Sequence, residues 1–233
     1  MRQAAESEII QISMKIRNGE PIDFMKGKEV IIIPKKELVD GHLTWADQII
    51  CATNATRENI NRQMRQIYGY SGLPQDGEKL ICLHNYWNDI SNSGDALVNG
   101  STGILRNPFE TFRRMPPFVN PRDIPIIQGD FVTSDDNEFN SVEIDKKFIM
   151  ENEKCITDNR ILFRLGKMKQ KIGDVIPREF AFGYAVTCWK AQGSEWDKVL
   201  VIEENFPFNK EEHLKFLYTA VTRASKKLVL VRN

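Results

Sequence analysis

The first apolar pattern along the chain has the spacing of a helix. In residues 4–17, Ile9, Ile12 and Ile16 recur three or four positions apart. Asn18-Gly19 follows at once, and glycine is the usual residue just past a helix end. The pattern therefore predicts an amphipathic helix that ends at a glycine cap.

Two continuous apolar runs follow. Residues 29–33, closed by Pro34, and residues 48–53 are apolar at nearly every position, as in strands buried on both faces. The second run leads through Asn54 into a predicted helix over residues 55–68. Thr53 and Asn54 suit the amino cap of that helix, and a strand, a cap and a helix in succession are typical of α/β folds.

The same α/β pattern returns near the carboxyl end. A predicted strand over residues 198–203 precedes a helix over residues 211–221, and a last strand covers residues 228–231. Together with the first 72 residues, this segment predicts a parallel sheet flanked by helices.

The middle of the chain has a different sequence pattern. Glycine, proline and asparagine interrupt short strand-like runs, which predict strands at 79–84, 95–98, 103–105, 124–132, 142–148 and 161–165. Asn99-Gly100 between apolar flanks predicts a hairpin. We therefore expect a small antiparallel barrel at 73–178, inserted between the two parts of an α/β domain, 1–72 and 179–233.

Composition narrows the class of protein. Apolar residues make up 41% of the chain and charged residues 27%, and the 32 basic residues balance the 32 acidic ones. Net charge thus argues neither for nor against nucleic acid. Cys51, Cys82, Cys155 and Cys188 are widely spaced, so we predict reduced thiols, no metal site and a cytoplasmic location without a membrane span.

The polar residues before the strand at 198–203 are candidates for chemistry. Gln192 and Ser194 offer donors and acceptors, Gly193 permits close backbone approach, and Glu195 could accept hydrogen bonds from a ribose hydroxyl. The alternative is a polar turn capped by Ser194. Arg223 could meet a nucleotide phosphate at the carboxyl ends of the strands, or it could simply favour a helix carboxyl terminus.

These segments carry a family resemblance. Residues 187–196, TCWKAQGSEW, and 217–224, LYTAVTRA, resemble motifs V and VI of superfamily 1 DNA helicases, specifically the RecD/Dda-like branch related to UvrD. Residues 2–10 are similar to motif IV and residues 49–61 to motif IVa. Residues 79–105 resemble the start of the family's small insert, which is like a Src-homology-3 (SH3) domain.

The resemblance implies an ATP site shared with another domain. Arg2 and Arg223 would reach the γ-phosphate of ATP, Glu195 would bind the ribose, and Gln192 and Gly193 would couple nucleotide state to strand movement. ATP and Mg²⁺ would be held mainly by a preceding motor domain, because this chain has no G-x-x-x-x-G-K-[ST] loop.

The resemblance also implies contacts with single-stranded DNA. Thr53, Asn54 and Thr187 would contact phosphates, and Lys190 would join them. Trp189 departs from the family, which usually has histidine there. The tryptophan either packs at the domain edge or stacks on a base, a contact worth about 1–3 kcal/mol in other systems.

The insert combines basic and aromatic residues, which suit a single strand as well as they suit a solvated loop. They are Arg106, Arg113, Arg114, Arg122, Phe109, Phe112 and Phe118.

The expected protein is the carboxyl-terminal half of an ATP-dependent DNA helicase. It has a RecA-like second motor domain interrupted by an SH3-like barrel, and the family implies 5′-to-3′ travel and roles in DNA repair or recombination. A helical pattern begins directly after Met1. We therefore expect a fragment that is inactive alone and needs its amino-terminal motor domain. The alternatives are a non-catalytic binding module derived from a helicase, and an RNA helicase of the same superfamily.

Overall fold

A computed structural model describes residues 7–172 and 176–232, without the side chains of 169–172. The chain divides into two compact units. Met1–Gly69 and Tyr184–Asn233 form the α/β unit, and Tyr70–Gly183 form the insert unit. The division falls three residues before the predicted start of the insert and five residues after its predicted end.

The α/β unit is built around a six-stranded sheet. Its elements are α1 (Glu8–Asn18), β1 (Met25–Lys26), β2 (Val30–Pro34), a 3₁₀ turn (Lys35–Glu37), α2 (Asp40–Trp45), β3 (Gln48–Cys51), α3 (Asn54–Ile67), β11 (Ala185–Thr187), β12 (Trp196–Ile202), α6 (Lys210–Val221) and β13 (Ala224–Arg232). The strand order is β1-β2-β13-β12-β3-β11. All neighbours are parallel except β1 and β2, so the predicted parallel α/β sheet is confirmed.

The apolar runs lie in the middle of this sheet. All four residues of β3 are buried, and Ile49, Leu200 and Val229 share one core cluster. Gln48 is the polar residue among these four, and its side-chain amide donates to the Tyr184 carbonyl at 3.1 Å. Burial of β3 on both faces explains why its sequence shows no polar alternation.

Helix α1 ends as predicted, at a glycine. Gly19 has φ +69°, and its amide donates to the Ile16 carbonyl. At the other end, the Glu29 carboxylate accepts from the Glu8 amide at 3.0 Å. The Glu8 carboxylate lies over Gly27 and accepts from the amides of residues 28–30, and these hydrogen bonds hold the pKa of Glu8 below its usual value.

The insert unit contains the remaining elements. They are β4 (Lys79–Cys82), β5 (Tyr86–Ile90), β6 (Ala96–Leu97), β7 (Thr102–Arg114), β8 (Asp123–Thr133), β9 (Glu138–Asp145), α4 (Lys146–Glu151), α5 (Asn159–Ile172) and β10 (Phe180–Phe182). Five strands form an antiparallel sheet in the order β10-β4-β7-β8-β9, and β5 pairs with β6. Phe131 and Phe180 meet edge to face at 5.0 Å in its core.

The chain just before β10 is bonded to the opposite edge of this sheet. The Arg178 amide donates to the Glu143 carbonyl, and the Asp145 amide donates to the Arg178 carbonyl at 2.8 Å. The Arg178 guanidinium also makes two hydrogen bonds to Asp89, at 2.5 and 2.6 Å. Strand β9 is thereby linked to the segment that enters β10.

Two predicted strands of the insert are wrong in part or in full. Residues 146–148 begin α4, which Asp145 caps by accepting from the Phe148 amide at 3.1 Å. Residues 161–165 lie in α5. Leu165 is buried while Phe163 is 64% exposed, so the short apolar run follows a helical face.

The predicted hairpin at Asn99-Gly100 is also wrong. Gly100 does turn the chain, with φ +92°. The turn, however, joins β6, which pairs with β5, to β7, which pairs with β4. The two flanking strands therefore belong to different sheets.

The basic residues of the insert are mostly paired within it. Arg106, Arg113 and Arg114 form ion pairs with Asp76, Glu143 and Asp123. The Arg164 guanidinium lies 4.0 Å above the Phe118 ring. Phe109 and Phe112 remain more than half exposed. None of the described helices is long and apolar enough to cross a bilayer.

Candidate functional site

Two neighbouring strands bring the predicted DNA contacts to one edge of the α/β sheet. Strands β3 and β11 are parallel, with Cys51 opposite Thr187. Thr53 and Asn54 follow β3, so they lie at the same carboxyl edge as Thr187. Asn54 is exposed at the first turn of α3, whereas Thr187 is only 7% exposed. The sheet thus brings these three residues together, with Thr187 beneath the surface.

An acidic side chain covers the amino end of α3. Thr53 caps this helix, and its hydroxyl oxygen accepts from the Thr56 amide at 3.3 Å. The Glu204 carboxylate accepts from the Thr53 amide at 3.0 Å, from the Thr53 hydroxyl at 2.7 Å and from the Thr56 hydroxyl at 2.5 Å. The Ala52 amide is a fourth donor, at 2.5 Å. The amide and the hydroxyl of Thr53 therefore both donate to the carboxylate of Glu204, which lies just past the end of β12.

Arg57 lies on the same turn of α3. Its side chain is 13% exposed, and its Nη2 donates to Glu58 at 3.1 Å. Within the described parts of the chain, Arg57 Nε is the one buried side-chain nitrogen or oxygen without a hydrogen-bond partner. Burial, aided by the Glu204 charge, raises the pKa of the nearby Cys51 thiol to about 12, and the Arg57 charge opposes that rise.

Aromatic rings continue from this edge. Trp189 is 52% exposed, and its ring centroid lies 6.5 Å from that of Phe206. Phe206 meets Phe208 at 5.7 Å, and Phe208 is 88% exposed. Lys190 is partly exposed, and its amide donates to the Thr187 carbonyl. The tryptophan thus packs against a neighbour and still presents a face to solvent.

Arg223 lies at the other end of its strand from the one we predicted. It follows α6 and comes directly before β13, so it stands at the amino end of a parallel strand. Its guanidinium donates to the carbonyls of Thr219 and Ser194, each at 3.1 Å, and to the Thr222 hydroxyl at 3.3 Å. These acceptors are neutral, and no acidic side chain in the described residues forms an ion pair with it.

The predicted nucleotide residues form a turn beside Arg223. Gln192, Gly193 and Glu195 are all exposed, and Gly193 has φ +87°. The Trp196 amide donates to the Arg223 carbonyl at 2.9 Å, which fixes the end of the turn against the arginine. The structure therefore brings together four of the five predicted ATP contacts. The fifth, Arg2, lies outside the described residues.

A cleft of about 310 Å³ separates this turn from α6. It is lined by Cys188, Trp189, Gln192, Pro207, Glu212, Lys215, Phe216 and Thr219. Burial raises the pKa of the Cys188 thiol to about 11, and the positive charge of Arg223 partly offsets that rise. Trp189 belongs to the predicted DNA set and Gln192 to the nucleotide set, so the cleft connects the two.

Helix α6 is anchored at its amino end. Asn209 caps it by accepting from the amides of residues 211 and 212. Glu203, just past β12, accepts from His213 at 2.9 Å and from Arg232 at 2.5 Å. Although burial opposes it, these two hydrogen bonds hold the pKa of Glu203 below its usual value. This network ties the helix that leads to Arg223 to the ends of β12 and β13.

Sequence reasoning missed Glu204, Arg57, Phe206 and Phe208. Glu204 could have been found, because it directly follows a predicted strand of the same parallel sheet, and the carboxyl ends of parallel strands meet at one edge. Arg57 gave no signal, since an arginine in a predicted helix usually faces solvent.

One part of the chain matches a known family. Residues 182–231 match the model described as the UvrD-like helicase C-terminal domain. This segment contains the predicted residues from Thr187 to Arg223 and makes up less than half of the chain. A comparison with curated proteins gives no significant match.

Solved structures share the fold over nearly the whole chain. The Pif1 helicase from Candida albicans is 15% identical with a TM-score of 0.54, covering 100% of this chain and 55% of that one. A Pif1 helicase from Bacteroides, in complex with ADP-AlF3 and ssDNA, is 14% identical with a TM-score of 0.50, covering 97% and 49%. The chain thus spans about half the length of these similar structures.

Proposed function

We propose that this chain is the carboxyl-terminal motor half of an ATP-dependent DNA helicase of superfamily 1. The observation that carries the proposal is the placement of Arg223 against the turn of Gln192, Gly193 and Glu195, within the segment that matches the UvrD-like family model. The shared fold with the Candida albicans Pif1 helicase supports it. The RecD/Dda-like branch, and with it 5′-to-3′ travel, remains a prediction from motifs V and VI.

The chemistry of Arg223 suits a phosphate. A guanidinium presented to a transferring phosphoryl group stabilises its spreading charge, and such residues contribute about 10³–10⁵ to the rate. Among the residues that the structure describes, the guanidinium donates to neutral acceptors, and the Ser194 and Thr219 carbonyls hold it in place. It is therefore oriented without being neutralised.

The remaining ATP contacts complete one side of a shared site. Glu195 is exposed next to the turn, where its carboxylate can accept from ribose hydroxyls, and Gln192 lines the cleft beside α6. ATP supplies the free energy of phosphoryl transfer. ATP and Mg²⁺ would be held mainly by the preceding motor domain, with Arg2 as a second arginine from this chain.

The carboxyl edge would grip the DNA strand. Thr53 and Asn54 lie at the amino end of α3, where backbone amides favour a phosphate. Thr187 and Lys190 lie at the end of the adjacent strand β11, and the exposed ring of Trp189 is free to stack on a base. The nucleotide turn and the DNA edge are joined by one short segment, which would couple nucleotide state to strand movement.

We further infer that the insert unit corresponds to the SH3-like barrel of such helicases. The bonds between Arg178 and strand β9 support this, because they draw the two edges of the five-stranded sheet toward each other.

The proposal is tested by ATP hydrolysis in the longer protein that contains this chain. We expect Arg223→Ala to lower the DNA-stimulated rate by at least about 10³-fold while binding of a fluorescent ADP analogue is largely spared. Arg223→Lys should recover little, because an ammonium lacks the planar fork. Arg17→Ala, which removes an exposed arginine of α1 outside the candidate site, is the matched control.

Two results would contradict the proposal. One is near-normal turnover by Arg223→Ala, and the other is stoichiometric ATPase activity by residues 1–233 alone. Repeating the assay with poly(U) in place of poly(dT) distinguishes an RNA helicase, and absence of any ATPase activity in the longer protein would favour a non-catalytic binding module.

A further inference from the structure

The amino end of α3 is an anion site that the protein fills with its own carboxylate. Four donors converge on Glu204, and two of them belong to Thr53, the residue expected to hold a DNA phosphate. We propose that Glu204 stands in for that phosphate and must leave before the strand can bind at Thr53. The inference rests on the proposed function and adds an internal competitor to it.

The geometry leaves no spare donor on Thr53. Its amide and the Ala52 amide donate to Glu204 Oε2 at 3.0 and 2.5 Å. Its hydroxyl and that of Thr56 donate to Oε1 at 2.7 and 2.5 Å. A phosphodiester likewise presents two non-bridging oxygens that share one negative charge. The phosphate and the carboxylate therefore require the same groups, and only one can be bound at a time.

Arg57 carries an unused donor at the same end of the helix. It lies in the first turn of α3, four residues after Thr53, and its buried Nε has no hydrogen-bond partner. A buried unmade hydrogen bond costs about 1–3 kcal/mol in general. A phosphate has more acceptor oxygens than a carboxylate, so it can use a donor that Glu204 leaves unused.

Glu204 is placed where it can move without breaking the sheet. Strand β12 ends at Ile202, and Glu204 lies in the connection between β12 and α6. Asn205 and Phe206 after it are exposed. Release of the carboxylate therefore needs a change in this connection, and the strand pairing of β12 stays intact.

Competition of this kind has a simple quantitative consequence. The apparent dissociation constant rises by the inverse of the fraction of molecules in which the site is open. If Glu204 occupies the site in about nine molecules of ten, its removal should tighten DNA binding about tenfold. The gain must disappear when Thr53 itself can no longer hold the phosphate.

The experiment measures binding of fluorescein-labelled dT12 to residues 1–233 by fluorescence anisotropy. We expect Glu204→Ala and Glu204→Gln to bind about tenfold more tightly than the parent chain. Glu37→Gln, which removes one exposed negative charge elsewhere in the α/β unit, should change affinity little. In a Thr53→Val background the gain from Glu204→Ala should vanish, because the coupled residues share one site.

Each outcome bears on the inference. If the parent chain binds dT12 and Thr53→Val weakens that binding, but neither Glu204 variant tightens it, the competitor role is refuted and the proposed function stands. If the parent and both Glu204 variants fail to bind, the proposed DNA contact at Thr53 is refuted and the competitor role with it. Thermal unfolding by circular dichroism identifies a variant that has not folded. If Glu204→Ala has not folded, the affinity of Glu204→Gln, which keeps the side-chain shape, is compared with that of the parent chain.

Discussion

Replacing Gly193 with alanine should destabilise the α/β unit even though the new methyl group has room. A Cβ atom built on Gly193 meets nothing within 4 Å, while the backbone has φ +87°. A left-handed conformation costs an L-residue about 1–2 kcal/mol. Alanine also reduces the conformational entropy of the unfolded chain, which offsets this cost by about 0.4–1 kcal/mol. The net loss is therefore about 0–1.6 kcal/mol, with a midpoint of about 0.8 kcal/mol, and it comes from backbone conformation alone.

Two further substitutions separate backbone conformation from side-chain contact. Gly41 lies in α2, is exposed and has no left-handed φ, and a Cβ there comes no closer than 3.9 Å to Val39. Gly41→Ala should therefore stabilise the unit by about 0.5–1 kcal/mol. Gly193→Asn should cost less than Gly193→Ala, because asparagine visits left-handed conformations more readily.

The assay is urea unfolding followed by tryptophan fluorescence. Trp45, Trp189 and Trp196 lie in the α/β unit, whereas Trp87 lies in the insert unit. A Trp87→Phe background makes the signal specific to the α/β unit. If Gly193→Ala were as stable as Gly41→Ala in that background, the left-handed conformation of the turn beside Arg223 would be refuted.

Three other substitutions test the packing and electrostatics. Burial raises the pKa of the Cys51 thiol from 9.0 to about 12. Its contribution to the free energy of unfolding is therefore full below pH 9 and falls as the pH rises toward 12, by at most about 1.4 kcal/mol per pH unit. Cys51→Ala should flatten this slope in urea unfolding between about pH 8.5 and 11. Because the pKa of Glu203 is lowered, its contribution to stability is present above its ordinary pKa of 4.5 and is lost as the pH falls below that value. Glu203→Gln should therefore lower the unfolding temperature at pH 7 and reduce the further loss of stability on acidification, measured by thermal unfolding. Gly103→Ala should cost about 3 kcal/mol by overpacking, since its Cβ would lie 2.2 Å from the Val132 carbonyl oxygen; calorimetry showing no loss would contradict this packing.

The parallel strands were predictable because their signal is local and strong. Residues 30–33 and 49–52 are continuous apolar runs, and burial on both faces of a sheet allows no polar alternation. A cap at Thr53 or Asn54 was predictable for a similar reason, since both residue types are preferred at a helix amino cap, and the structure uses Thr53.

The insert was harder because its elements are short. An apolar run such as residues 161–165 is compatible with a strand or with one face of a helix, and only the burial of Leu165 against the exposure of Phe163 distinguishes them. Asn99-Gly100 correctly marked a turn. A dipeptide, however, carries no information about which strands pair across it.

The sequence points to several residues of the candidate site but not to their arrangement. Arg223 and the turn at Gln192 were expected at the carboxyl ends of the strands, where α/β sheets commonly bind ligands. The arginine instead precedes β13, while Thr53 and Thr187 lie at the opposite edge. Strand direction decides this, and direction follows from how distant segments pair.

The separation of Arg223 from Thr53 bears on how the proposed motor domain would couple its two ligands. A nucleotide at Arg223 and a strand at Thr53 would act on opposite ends of the same parallel sheet, so neither could contact the other directly. The segment from Thr187 to Glu195 runs from one end to the other, beginning at β11 and finishing against Arg223. A shift of that turn on nucleotide binding would therefore move the DNA edge through the covalent chain. Glu204, which is hydrogen-bonded to Thr53 from just past β12, would set how readily that edge accepts a phosphate.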